Sequence, residues 1–104
     1  MESTITYKRP DPRIIYKYPL RTDHKLTAEI ELPVESYFCH VGIDHQGDVC
    51  LWYSVSTNPH YSKEIRTFRV YVTGEIIPSD NRNCFMGTVI TKDYLVWHVF
   101  EIFN

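Results

Sequence analysis

The chain has 104 residues, a formal net charge of −2 and a pI near 6.2. That length suits one domain and is too short for two, yet it suffices to bury roughly two thirds of the unfolded surface in a core without covalent staples. A hydrophobic fraction of 43% is too high for a disordered chain, and the lack of a basic excess argues against non-specific nucleic-acid binding.

Residues 1–13 read as a flexible N-terminal arm: Pro10 and Pro12 bracket Asp11, and neither a helical nor a strand period is visible. A single β domain is expected over 14–104. Ile14 to Tyr18 is β-branched and aromatic, and Pro19 stops it. Leu26, Ala28, Ile30 and Leu32 alternate with Thr27, Glu29 and Glu31, the pattern of a half-buried strand. Ser36 to Asp44 follows, with Tyr37, Cys39, Val41 and Ile43 in one phase and Phe38 and His40 in the other. His45-Gln46-Gly47 is turn chemistry, and Asp48 to Ser56 returns with Val49, Leu51, Tyr53 and Val55 in phase, which predicts a hairpin.

A polar loop runs from Thr57 to Glu64, and Ile65 to Thr73 reads as a fifth strand with Phe68, Val70 and Val72 on its apolar side. Cys84 to Thr91 and Tyr94 to Phe103 form a last predicted hairpin. The final strand is apolar in both phases, which predicts a central or sandwiched position. Seven short strands and no apolar 3.6-residue period predict a mostly β fold, a small antiparallel sandwich or open barrel with little helix. Leu51, Val70, Val72, Val99 and Phe100 are its expected core.

The odd count of Cys39, Cys50 and Cys84, with no short spacing, is not a disulfide framework. The polar first dozen residues carry no signal-peptide core, and no apolar run approaches the ~20 residues of a membrane helix. The expectation is a cytoplasmic protein with reduced thiols and no membrane partner.

Chemistry-bearing patterns are sparse. The five histidines form no helical pair, no Cys-x-x-Cys is present, and adjacent Cys39 and His40 point to opposite faces of a strand, so no metal site and no cofactor are expected. No nucleophile elbow, phosphate loop or carboxylate couple is present, and no catalytic residue is assigned. His98 in its apolar strand reads as a hydrogen-bonded structural residue.

One face stands out. With Leu51 and Tyr53 pointing to the core, Trp52 and His40 point away, and Arg69 and Tyr71 share the polar side of the fifth strand. Aromatic side chains with arginine and histidine compose binding surfaces. His40, Trp52, Arg69 and Tyr71 are therefore the candidate partner-binding residues. The same set could stack a planar base on Trp52 with Arg69 on a phosphate. Equally, Trp52 could be covered by another strand, by the arm or by a second copy.

The runs Ile15-Tyr16-Lys17-Tyr18-Pro19-Leu20, Leu51-Trp52, Arg66-Thr67-Phe68-Arg69-Val70-Tyr71, Thr73-Gly74, Gly87-Thr88-Val89 and Val96-Trp97-His98-Val99-Phe100-Glu101 resemble a family of small phage- and prophage-encoded proteins of unknown function. The resemblance spans residues 14–101. It departs in its longer arm, in Cys39-His40 and in the loop from Asn58 to Lys63. It implies expression in the cytoplasm of a host bacterium. Small phage proteins without enzymatic motifs often counter host defence. The expected function is binding and inhibition of a host protein, for example a nuclease or a CRISPR effector. The alternatives are an oligomeric sponge for a nucleotide signal, a minor virion structural protein, or a small enzyme using Cys or His chemistry. A homo-oligomer fits several of these.

Overall fold

Alternating apolar residues set the strands, and proline, glycine and Asx turns end them. The computed structural model describes residues 11–80 and 82–103. Every regular element among them is a strand: β1 Arg13–Pro19, β2 Thr27–Pro33, β3 Tyr37–Ile43, β4 Val49–Ser56, β5 Lys63–Val72, β6 Asn83–Ile90 and β7 Val96–Ile102. They pair antiparallel in two sheets, β1-β4-β3 and β2-β5-β7-β6, with no closed barrel. The predicted seven-stranded antiparallel fold is the observed one, as a two-sheet sandwich.

The arm expected over residues 1–13 lies outside the described residues up to residue 10. Arg13 already belongs to β1, and the carbonyl of Pro12 accepts the Thr57 amide at 3.0 Å. β3 and β4 form the predicted hairpin. Asp44 closes its turn, accepting the amides of Gln46 and Asp48 at 3.0 and 2.9 Å. β6 and β7 form the second hairpin, and β7 inserts between β5 and β6 as the central strand.

The inner faces interlock. Ala28, Ile30 and Leu32 of β2, Leu51, Tyr53 and Val55 of β4, Phe68 and Val70 of β5 and Val99 of β7 are all buried. Of the expected core, Leu51, Val70 and Val99 are fully enclosed. Val72 is not: it lies at the end of β5 and is 43% exposed. Phe100 is not a core residue either. Val99, between Val70 and Gly87, takes the inward phase of β7, so Phe100 must point outward, where it is half-buried.

The sandwich is closed along one side and open along the other. β3 and β6 meet at the closed side, where Gly87 abuts Val41 so closely that a Cβ would overlap Val41 Cγ1. On the open side, between β1 and β2, a groove of about 320 Å³ is lined by Ile14, Tyr16, Tyr18, Glu31, Pro33 and Tyr61, among others.

Candidate functional site

The four candidate residues do not share a face. His40 and Trp52 lie on the outer side of β1-β4-β3, and Arg69 and Tyr71 on the outer side of β2-β5-β7-β6. Each pair has the outward phase expected of it. The sheets pack back to back, so their outer faces point in opposite directions. A single strand's period carries no information about which sheet that strand joins.

On the first face, His40 sits opposite Trp52, ring centroids 5.5 Å apart. Gly42 makes this possible: a Cβ there would lie 2.6 Å from His40 Nε2. A register shift between Phe38 and His40 turns Phe38 inward, edge-on to Tyr53 at 5.7 Å, against the expectation that Phe38 and His40 share a side. Nearby, the Arg13 guanidinium lies 4.6 Å over the Tyr37 ring and donates to Ser54 Oγ at 2.7 Å. Lys17 pairs with Asp44 at 2.8 Å. That lysine, with the amides of Asp48 and Gln46, holds the Asp44 carboxyl far below the usual carboxylate range.

On the second face, Arg69 is already engaged. Its guanidinium lies 4.2 Å over the Tyr71 ring, and Nη2 donates to Glu75 Oε2 at 2.6 Å. Glu75 Oε1 accepts the Val72 amide at 3.1 Å, so the arginine pins the turn after β5. Tyr71 is buried, and its hydroxyl donates to Asn83 Oδ1 at 3.3 Å. Trp52 and Arg69 of one copy lie on opposite outer faces and line no common pocket.

Sequence reasoning missed what surrounds this pair. Phe100 stands edge-on to Tyr71 with centroids 5.2 Å apart, and Phe85 lies 5.3 Å from Phe100. Cross-strand pairing lines up Arg69, Phe100 and Phe85 in one row and Tyr71, His98 and Thr88 in the next. His98 is held from both sides, Nε2 by Thr73 Oγ1 at 2.8 Å and Nδ1 by Thr88 Oγ1 at 2.9 Å, as its structural reading expects. The β5–β6 connection overhangs the aromatic row at a hollow of about 270 Å³ that includes Ile77, Phe85, His98 and Phe100. Phe85 at the rim of the hollow, and Ile90 and Val96 beyond it, are exposed by 57%, 61% and 36%. The signal for this face was the two-sided apolar character of the final strand, whose outer half is only partly covered among the described residues.

Inside the sandwich, Arg66 grips Glu101 through Nε and Nη2 at 2.7 and 2.6 Å and lies 5.1 Å over the Tyr53 ring. The Glu101 hydrogen bond raises the pKa of the guanidinium further, and burial pushes the Tyr53 hydroxyl well up. All three cysteines are free, Cys50 buried and Cys39 and Cys84 exposed. Among the described residues no three His, Cys, Asp or Glu side chains converge as a metal site would require. None of those residues forms a helix long and apolar enough to cross a membrane.

No curated protein and no solved structure matches the chain. A family described as a domain of unknown function, DUF7352, matches residues 12–103, which takes in all seven strands. The chain belongs to the DUF7352 family.

Proposed function

We propose that this protein is a non-enzymatic binding module, a phage-encoded accessory factor that docks on a host protein and inhibits it stoichiometrically. A nuclease or CRISPR effector of host defence is the target class the resemblance suggests. The observation that carries the reading is the outer face of β6 and β7, where Phe85, Ile90 and Val96 stay exposed beside a half-buried Phe100 and a buried Tyr71. Phe85, Phe100 and Tyr71 form a rigid cross-strand array, with Arg69 and His98 fixed at its border. Aromatic side chains are costly to leave in water and lose little conformational freedom on binding, which is why they anchor interfaces. Charge recedes from this array: Arg69 is neutralised by Glu75, so the face favours an apolar protein surface over a phosphate.

The test is capture from bacteria expressing the tagged protein, followed by reconstitution with the captured factor. One equivalent of the protein should silence that factor. Phe85→Asp should weaken binding by roughly 30-fold or more, the effect of losing an anchor of about 2 kcal/mol. Its melting temperature should stay close to the parent's, since the ring is already exposed. Binding lost in Trp52→Ala but retained in Phe85→Asp would place the partner on the opposite sheet. Inhibition at far below one equivalent would replace binding with turnover.

A further inference from the structure

Each of the two open sheets has two edges, and three of the four are protected. β3 and β6 carry register shifts, between Phe38 and His40 and between Phe85 and Gly87. β2 presents the exposed carboxylates Glu29 and Glu31. Bulges, proline and charge are the usual devices that stop edge strands from pairing with other chains. β1 ends in a proline as β2 does, Pro19 in the one and Pro33 in the other, but among the described residues it carries no bulge and its charges are turned away from the edge. Its seven residues run in unbroken register from Arg13 opposite Ser56 to Pro19 opposite Cys50. Its two cations are drawn back over their own sheet, Arg13 to Ser54 and the carbonyl of Glu35, and Lys17 to Asp44. What remains at the edge is Ile14, Ile15 and Tyr16, exposed by 39%, 60% and 52%.

We propose that this edge is a self-association site: a second copy of the chain adds its β1 antiparallel to the first, joining the two three-stranded sheets into one. Backbone direction fixes the donors. The Leu20 amide reaches the carbonyl of Val49, and the Pro12 carbonyl accepts from Thr57. Even-numbered residues of β1 therefore bond to β4, and the amides of Arg13, Ile15 and Lys17 point to the free edge.

Charge selects the register. Pairing Ile15 with the partner's Ile15 would set Arg13 against the partner's Lys17, and like charges directly opposite destabilise a sheet. Pairing Tyr16 with the partner's Tyr16 removes that conflict. It opposes Lys17 to the partner's Ile15 and Arg13 to the partner's Pro19, and overlaps the whole strand. Ile14, Tyr16 and Tyr18 of both copies then form one apolar strip along the open side of the two sandwiches, and the two grooves become continuous. The proposal does not rest on the aromatic face of the other sheet.

Sedimentation of the full chain should show a dimer. Ile15→Pro removes an edge amide without touching the bonds to β4, and proline is tolerated on an edge strand with that orientation. Ile15→Lys sets a new ammonium opposite the partner's Lys17. Both variants should sediment as monomers with the parent's circular dichroism, and if the proline variant fails to fold, the lysine variant decides. Tyr16→Cys, combined with Cys39→Ser and Cys84→Ser, tests the register. A non-hydrogen-bonded pair brings Cα atoms to about 4.5 Å, within the disulfide range of about 4.4–6.8 Å, so mild oxidation should link the two chains. A parent that stays monomeric overturns the proposal. So does a dimer that survives both Ile15 changes, or one that the cysteine does not cross-link.

Discussion

At the scale of the residue, phase and depth are separate facts. Phe68 and Phe100 are both strand phenylalanines near the middle of one sheet. Phe68 is fully enclosed, whereas Phe100 leaves part of its ring in water. Truncation to alanine should therefore cost about 3–5 kcal/mol at Phe68 and only about 1–1.5 kcal/mol at Phe100, as the smaller area removed from water dictates. Urea unfolding midpoints of the two variants check the order. Glu101 is the other unexpected residue, a carboxylate pointing into the sandwich and 4% exposed. Its role is electrostatic: it neutralises Arg66, which would otherwise sit between Tyr53 and the sheet uncompensated. Glu101→Ala should destabilise by about 3 kcal/mol, the lower end for breaking a buried pair because the Arg66 side chain keeps 19% exposure. Loss of less than about 1 kcal/mol in the same unfolding assay would show that water already screens the pair.

At the scale of the element, bulges and glycines decide what the strand period leaves open. The shift between Phe38 and His40 inserts one residue and reverses the phase of Phe38 relative to Val41. No residue in that stretch marks the site, because a bulge is an outcome of how two strands meet across the sheet. The contact of β3 with β6 depends on the absence of a side chain at Gly87. Gly87→Ala should destabilise by about 1–3 kcal/mol through overpacking against Val41. Adding Val41→Ala should return part of that loss, and a double-mutant cycle with no coupling would mean that the two positions do not touch in solution.

At the scale of the whole molecule, two aspartates tie its connections together. Asp44 bridges the β3–β4 turn to Lys17 of β1, and Asp23 accepts the amides of Thr27 and Lys25 where the chain enters β2. The Lys17 ammonium first, then the Asp48 and Gln46 amides, lower the pKa of Asp44. The Thr27 and Lys25 amides lower that of Asp23. Both carboxyls bind protons more weakly folded than unfolded. The stability they lend is complete above the unfolded value of about 4 and is lost as the pH falls through it toward the folded values. The melting temperature should hold from neutral pH to about 5 and then decline. Asp44→Asn should begin lower and decline less steeply; an unchanged slope would show that Asp44 carries none of the dependence.

The sequence by itself determined the seven strands, the two hairpins and most of the inner face, because period-2 patterning is a local property that each strand writes in its own residues. Strand ends fell within a few residues of the observed ones at Pro19, Pro33 and the Asp44–Asp48 turn, where proline and Asx chemistry act locally. Which strand joins which sheet is decided by packing between residues far apart in the chain, and only the tertiary structure settled it. That is why Trp52 and Arg69, both correctly outward, came to lie on opposite sides. It is also why Phe100, read as core, became part of an outer aromatic row with Tyr71 and Phe85. The two-sided apolar pattern of β7 announced a central strand. Whether its second side is covered depends on how many layers the fold stacks, and seven strands in two sheets cover each central strand on one face only.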